Sequence, residues 1–129
     1  MKTVQPYLIF PGTCREALEF YGACLDGQIA EIQTYGEAPI PFPEDSDSRI
    51  FNSVFRAGDL QFMASDCLPD QDLPAGANFA LFVTFNESQE QLRAFESLSE
   101  GGKVLMPLAN GFGMVEDRFH VRWMLAHDK

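Results

Sequence analysis

The sequence predicts an α+β fold built from two successive βαβββ modules. The first observation is an internal repeat, because residues 10–32 align with residues 85–107 at one offset without a gap. The second is the alternation of apolar and polar residues in the stretches after each copy, which is typical of strands with one buried face. The third is a length of 129 residues with 46% hydrophobic residues, which suffices for one packed domain without disulfides.

Each copy of the repeat has the pattern of a strand, a helix and a second strand. Capping boxes at residues 13–16 (Thr-x-x-Glu) and 88–91 (Ser-x-x-Gln) predict where the two helices begin. A glycine follows each helix, Gly27 and Gly102, and predicts a left-handed helix end. Apolar residues at helical spacing predict the buried faces, at Ala17, Leu18, Tyr21 and Leu25 in the first copy and Leu92, Phe95 and Leu98 in the second.

The remaining strands follow from alternation and from two turn sequences, Gly58-Asp59 and Asn110-Gly111. These patterns predict strands over residues 50–57, 60–66, 104–108, 112–116 and 121–126. Together with the repeat, they complete two modules of the same order.

Two segments outside the strands have the composition of loops. Residues 36–49 are rich in proline and acidic residues and predict an irregular excursion or lid. Residues 67–77 resemble a linker in composition. A single domain of residues 1–129 would therefore consist of one module over about residues 1–66 and a second over residues 78–129.

Composition excludes several classes of partner and site. With 9 basic against 19 acidic residues, the net charge of -10 argues against nucleic acid and anionic membrane as partners. The three cysteines, Cys14, Cys24 and Cys67, form no CxxC pair, so we expect inert thiols and neither a disulfide framework nor a zinc site. The chain shows no signal peptide or membrane-spanning stretch, which predicts a cytoplasmic location.

Several segments together resemble the vicinal oxygen chelate superfamily, and more narrowly its PhnB-like branch in the glyoxalase and bleomycin-resistance group. These are "PYLIF", "SDC" after the fourth strand, "GGKVLMPL" and "FGMVEDRF". The resemblance implies that curled mixed sheets surround a cleft, that the helices lie on the convex side, and that the protein is a homodimer. Members of this branch are often labelled ubiquinone-pathway methyltransferases, but no strand here leads into a glycine-rich nucleotide loop.

Enzymes of the superfamily hold a divalent metal with four side chains, from the first and last strands of each module. The resemblance places these ligands at Gln5, at Met63 with Ser65 as the alternative, at Asn78 and at Met124. This set contains no imidazole and no carboxylate, the donors that borderline and hard cations require. We therefore expect no metal cofactor.

Strand alternation predicts the side chains that line the cleft. They are Gln5, Tyr7, Gln61, Met63, Ser65, Asn78, Phe82, Arg122 and Met124. Arg122 is the charged member, and it would either hold a carboxylate or phosphate of a ligand or pair with Glu116. His120, where the branch usually has glycine, predicts a turn residue with positive φ.

Three functions remain open from the sequence. The first is a small-molecule binding protein without a metal, whose ligand would be anionic if Arg122 contacts it. The second is a lyase, isomerase or dioxygenase type of enzyme, which would use either a divalent metal held by ligands such as Glu116 or Asp66, or Arg122 alone to polarise an oxyanion. The third is a dimeric interaction module.

Overall fold

The structure, a computed structural model, describes residues 4–71, 73 and 79–127. The chain divides into two compact units, Met1–Leu73 and Pro74–Lys129. Each unit has its own sheet and one helix packed against it, and the two are described separately below.

The N-terminal unit has the order strand, helix and three strands. Its mixed sheet has the strand order β1-β4-β3-β2, in which β1 and β4 are parallel and the other pairs are antiparallel. Two short 3-10 turns, Tyr35–Glu37 and Glu44–Ser46, lie in the loop between β2 and β3. The elements are β1 (Tyr7–Phe10), α1 (Cys14–Leu25), β2 (Gln28–Thr34), β3 (Ile50–Ala57) and β4 (Leu60–Asp66).

The C-terminal unit repeats this topology with the strand order β5-β8-β7-β6. Its elements are β5 (Leu81–Phe85), α2 (Ser88–Ser99), β6 (Lys103–Ala109), β7 (Phe112–Glu116) and β8 (Arg122–His127). Strand β5 pairs with β8 in parallel, as β1 does with β4. The predicted α+β fold of two βαβββ modules is therefore confirmed.

One face of each sheet carries the core of its unit. Leu8 and Phe10 on β1 are 4% and 2% exposed, whereas Tyr7 and Ile9 between them are 46% and 50% exposed. On β8 the same alternation buries Trp123 and Leu125 completely and leaves Arg122 and Met124 half-buried. Strand alternation thus separates a helix-packed face from an open face in both units.

The predicted capping boxes do not form. Thr13 and Ser88 make no side-chain capping bond, and the residue that precedes α2 is Glu87. Near the start of α1 the Asp66 carboxylate, at the end of β4, accepts from the backbone amides of Gly12 and Cys14. These are not the amides of Thr13 and Glu16 that a capping box would satisfy, so a long-range contact holds the start of the helix through other amides.

Gln91 does not cap α2 either. Its side chain is 2% exposed, and its amide donates to the backbone oxygens of Gly111 (3.0 Å) and Leu125 (3.1 Å). Gly111 O also accepts from the backbone amide of His127 at 2.8 Å. The buried Gln91 amide therefore finds its partners on β8 and at the β6–β7 turn, and it ties the helix to both.

The left-handed helix ends predicted at the two repeated glycines are wrong. The left-handed residue after α1 is Asp26 (φ 54°) and not Gly27, and the one after α2 is Gly101 (φ 78°) and not Gly102. A Cβ on Gly27 would lie 2.7 Å from the Arg56 backbone oxygen, and one on Gly102 would lie 2.1 Å from the Glu116 oxygen. Both glycines therefore allow close backbone contact with the third strand of their own module.

The turns agree with the sequence prediction. Asn110 and Gly111 both have positive φ (55° and 78°), the requirement of a type I′ hairpin, and Gly58 starts the β3–β4 turn with φ 60°. His120 has φ 70°, which confirms its predicted turn conformation. Within the described ranges, neither helix has the length and apolar character needed to cross a membrane.

Candidate ligand-binding groove

A groove of about 620 Å³ lies in the N-terminal unit, where β1 and β4 end. Two of the predicted cleft residues, Tyr7 and Ser65, line it together. Asp66 and Cys67 form part of its floor, and the other lining side chains are Ile9, Tyr35, Gln71 and Leu73. The parallel pairing of β1 with β4 places Ile9 directly beside Ser65.

Tyr35 forms the wall of the groove that comes from the loop after β2. Its hydroxyl donates to the Asp66 backbone oxygen at 2.8 Å. Its ring packs edge-on against Phe42 and Phe51, with centroid distances of 4.7 and 5.4 Å. Burial, followed by the nearby Tyr7 and Asp66, raises the pKa of Tyr35 above its ordinary value of 10.0, so the phenol stays protonated at neutral pH.

Asp66 is a buried carboxylate, 2% exposed, with both oxygens occupied by backbone amides. Oδ1 accepts from Gly12 N and Cys14 N at 2.9 Å each, and Oδ2 accepts from Ile50 N at 2.8 Å. This arrangement anchors β1, α1 and β3 to the end of β4. The alternative role of Asp66 as a metal ligand would require these bonds to break.

Ser65 differs from the other buried polar groups in this unit. It is 7% exposed, and its hydroxyl makes no hydrogen bond with any described residue. Ser53, by comparison, donates to the Ala64 backbone oxygen at 2.6 Å. Among described residues, only Asn52 Oδ1 is a fully buried side-chain polar atom without a partner, so the Ser65 hydroxyl remains accessible from the groove.

The other predicted residues of this unit lie outside the groove. Gln61 is exposed and accepts a hydrogen bond from Arg56 Nε at 2.7 Å. Met63 is half-buried and stands directly opposite Tyr7 in the sheet. Gln5 is exposed in the segment before β1.

In the C-terminal unit, the predicted residues lie on the open face of the sheet. Phe82 is 60% exposed and stands opposite Met124. Met114 and Met106 continue the same row across β7 and β6, so three thioethers follow one aromatic ring. Asn78 lies outside the described residues.

Arg122 is paired within its own sheet. Its Nε donates to Glu116 Oε1 at 3.2 Å, and His120 Nδ1 lies 3.5 Å from Glu116 Oε2. Burial opposes ionisation of Glu116, but the His120 bond, the Lys103 charge and the Arg122 contacts outweigh it and lower the pKa of this carboxyl. Of the two predicted roles for Arg122, the structure therefore shows the ion pair.

The donors at the predicted metal positions do not fit a divalent cation. Gln5 offers a carboxamide, and Met63 and Met124 offer thioethers, which are poor ligands for hard or borderline ions. Across residues 4–71, 73 and 79–127, no group of three or more His, Cys, Asp or Glu side chains is placed to hold a metal ion.

The register of the two sheets also shows which residues of the two modules are equivalent. Gln5 lies two residues before Tyr7. Ala80 lies two residues before Phe82, the equivalent of Tyr7. The register therefore relates Gln5 to Ala80 and not to Asn78.

Sequence reasoning missed Tyr35, Gln71 and Leu73 as lining residues. Tyr35 starts the loop after β2, and the other two lie in the predicted linker, where no strand periodicity indicates which way a side chain points. The available signal was the aromatic residue Tyr35 beside the proline-rich segment that also contains Phe42.

Comparison with known proteins places this architecture in a family. Residues 2–126 match the family described as 3-demethylubiquinone-9 3-methyltransferase. The crystal structure of PA1353 from Pseudomonas aeruginosa is 33% identical with a TM-score of 0.88, and the match covers 99% of this chain and 98% of that one.

Two further relatives agree. A putative 3-demethylubiquinone-9 3-methyltransferase from Bacillus cereus, also titled PhnB protein, is 25% identical with a TM-score of 0.81, over 98% of this chain and all of that one. The protein YjdN of Escherichia coli strain K12 is 26% identical over 95% of this chain and 92% of its own length.

The fold alone is shared more widely. The fosfomycin resistance protein FosX from Listeria monocytogenes has a TM-score of 0.69 at 9% identity, with 99% of this chain and 92% of that one covered. The chain therefore belongs to the PhnB-like family that is described as 3-demethylubiquinone-9 3-methyltransferase.

Proposed function

We propose that this protein binds a small organic molecule in the groove of its N-terminal unit, without a metal. The observation that carries the proposal is the substitution of the last-strand metal ligands by thioethers, Met63 and Met124, in a chain that keeps an open groove. The volume of about 620 Å³ falls within the range of roughly 300–1,000 Å³ that small-molecule sites occupy.

The composition of the groove supports the same function. Tyr7, Ile9 and Leu73 provide apolar surface, and Ser65 and Gln71 provide hydrogen-bonding groups. A wall that combines apolar surface with hydrogen-bonding groups is suited to a small organic ligand.

Methyl transfer, the activity in the description of the family, is not part of this proposal. A methyltransferase also needs a site for its methyl donor. Strand β1 leads to α1 through Pro11, Gly12 and Thr13, which is not a glycine-rich nucleotide loop.

The first test is the metal content of protein purified without chelator, combined with thermal-shift titrations of Mg²⁺, Mn²⁺, Fe²⁺, Ni²⁺ and Zn²⁺. We expect substoichiometric metal and no saturable shift. Stoichiometric metal, or a saturable shift that Gln5→Ala or Met124→Leu abolishes, would overturn the proposal in favour of a metal-dependent enzyme.

The second test is ligand-observed NMR with a library of small aromatic and aliphatic compounds. Binding that Tyr7→Ala removes would support the groove as the site. Absence of any saturable binding would instead favour the alternative of an interaction module.

We also propose that the protein is a homodimer, as the resemblance implies. Strand β6 is at the edge of its sheet and exposes Val104 (46%), Leu105 (36%) and Met106 (47%). An apolar edge strand of this kind is prone to association unless another surface covers it. Light scattering after size-exclusion chromatography should give twice the chain mass of 14.4 kDa, and Met106→Lys should shift it to the monomer.

A further inference from the structure

The acidic side chain in the groove of the N-terminal unit already has hydrogen-bond partners. Asp66 is the one carboxylate among the described residues that line the groove. Its two oxygens already accept three hydrogen bonds from backbone amides. The Tyr35 phenol stays protonated because its pKa is raised. A cationic ligand would therefore find no free carboxylate in this groove.

An anionic ligand is disfavoured as well. Arg49 lies beside the groove floor, where its Nη1 donates to the Cys67 backbone oxygen at 2.8 Å. It is not one of the lining residues. The net charge of -10 further opposes the approach of an anion.

The hydroxyl of Ser65 is the buried polar group that still lacks a partner here. At 7% exposure it is more than nine-tenths buried, it lines the groove, and no described residue bonds to it. Because this hydroxyl is accessible from the groove, a ligand bound there can accept its hydrogen bond, with the modest net gain that one such bond gives.

The surface beside this hydroxyl is apolar. Ile9 stands directly next to Ser65 in the sheet, and Tyr7 lies two residues earlier on the same face of β1. Their exposures of 50% and 46% leave both side chains available for contact with a planar molecule.

We propose that the groove binds a neutral aromatic molecule whose carbonyl oxygen accepts a hydrogen bond from the Ser65 hydroxyl while its ring packs on Tyr7 and Ile9. This inference rests on the proposed function and specifies the chemical class of the ligand. It replaces the anionic ligand that Arg122 suggested in the sequence, since Arg122 belongs to the other unit and is paired with Glu116.

The internal repeat supports an assignment to the first module. The residue equivalent to Ser65 in the second module is Ala126, which stands opposite Thr84 as Ser65 stands opposite Ile9. Of these two equivalent positions, only the one in the N-terminal sheet has the hydroxyl that would bind the ligand carbonyl.

Three probes of the same ring and similar size test the charge preference. They are 2-naphthamide, which is neutral with a carbonyl group, 2-naphthoate, which is anionic, and 2-naphthylmethylammonium, which is cationic. Binding to the full chain is measured by titration calorimetry or ligand-observed NMR at neutral pH. We expect 2-naphthamide to bind about tenfold or more tightly than either ion, because burial of an unpaired charge is costly.

Variants locate the binding and test the hydrogen bond. Ser65→Ala should weaken 2-naphthamide roughly three- to tenfold, the range that one net hydrogen bond represents. Ser48→Ala removes an exposed hydroxyl from the same unit and should leave the affinity unchanged. Tyr7→Ala should weaken all aromatic probes because it removes the ring contact.

The outcomes separate this inference from the proposed function. Tighter binding of 2-naphthoate, or an unchanged affinity in Ser65→Ala while Tyr7→Ala weakens binding, would overturn the neutral-carbonyl assignment but keep a ligand groove. Failure of all three probes, together with failure of the wider library to bind saturably, would overturn the proposed function itself. Folding of each variant is checked by its thermal denaturation curve.

Discussion

Met63 and Met124 occupy the same position in the two modules, each on the last strand and each directly opposite an aromatic residue of the first strand. Their partners are Tyr7 and Phe82. These are the positions at which the family resemblance predicts a last-strand metal ligand, with Ser65 as the alternative in the first module. A thioether beside an aromatic ring is a favourable apolar contact, so both sites serve packing or an organic ligand better than a cation.

The first prediction concerns Asp66, whose carboxylate accepts three backbone amides. Asp66→Asn leaves one acceptor oxygen and puts a side-chain NH₂ group against a backbone N–H. We therefore expect the free energy of unfolding to fall by about 3 kcal/mol. Urea denaturation measures the change. Asp59→Asn, in the exposed β3–β4 turn, is the matched control and should change it by less than about 0.5 kcal/mol. Equal effects of the two substitutions would contradict the anchoring role.

The second prediction concerns the two equivalent glycines after the helices. Gly27→Ala and Gly102→Ala force a methyl group into backbone oxygens at 2.7 and 2.1 Å, and we expect each to cost at least about 2 kcal/mol. Gly58→Ala meets open space and should cost only about 1 kcal/mol, for its left-handed conformation. Thermal denaturation of the three variants compares their losses of stability. A larger loss in Gly58→Ala than in the other two would refute the prediction.

The third prediction concerns the pH dependence that Glu116 introduces. Lys103 and Arg122 flank this residue in the sheet, and the pKa of its carboxyl is below the ordinary 4.5. A lowered folded-state pKa stabilises the fold above the unfolded-state value, and this contribution is lost as the pH falls through the folded-state pKa.

Wild type should therefore exceed Glu116→Gln in stability by about 0.5 kcal/mol at about pH 7, the scale of a partly exposed ion pair. The difference should shrink when the pH is lowered from about 7 to below the ordinary value of 4.5. Urea denaturation at both pH values checks the sign. A difference that grows on acidification would show that the paired carboxylate destabilises the fold.

The fourth prediction concerns thiol reactivity. Burial, followed by the charge of Asp66, raises the pKa of Cys14 to about 12, so almost no thiolate exists at neutral pH. We expect the folded protein to resist maleimide at Cys14, and the denatured protein to react fully. Peptide mapping by mass spectrometry distinguishes this residue from Cys24 and Cys67. Rapid labelling of Cys14 in the folded state would show that the site opens or that the thiol is activated.

The helices, strands and turns were predictable from the sequence because they depend on local patterns. The repeat gave the order of elements twice, and Asn110-Gly111 specified its hairpin through a conformation that few other pairs adopt. Alternation on β1 and β8 separated the buried from the open face. These features need no knowledge of which strands become neighbours.

The failures share a dependence on contacts between distant residues. The capping box at residues 13–16 does not form, and the start of α1 is held instead by Asp66, which lies 52 residues from Cys14 in the chain. Gln91 likewise donates to a distant backbone oxygen, that of Leu125 on β8, and does not cap its own helix. When a side chain could hydrogen-bond either to a residue near it in sequence or to a distant strand, its partner cannot be predicted until the strand order is known.

The site was predictable only in part. Tyr7 and Ser65 were found because they face outward from paired strands, whereas Tyr35 reaches the groove from a loop without periodicity. Choosing between the two roles predicted for Arg122 requires its distance to Glu116, and the spacing of the two residues along the chain does not give that distance. A proposal for the ligand class depends on such distances, so it needs the structure as well as the sequence pattern.

The strand order has a consequence for how the protein is made. In each module the last strand synthesised, β4 or β8, is inserted between the first strand and the third. While the ribosome is still extending a module, its first strand has no neighbour and its apolar face stays uncovered. Each half can close only when its final strand emerges, so a stalled or truncated nascent chain would present β1 or β5 as a free edge to other chains.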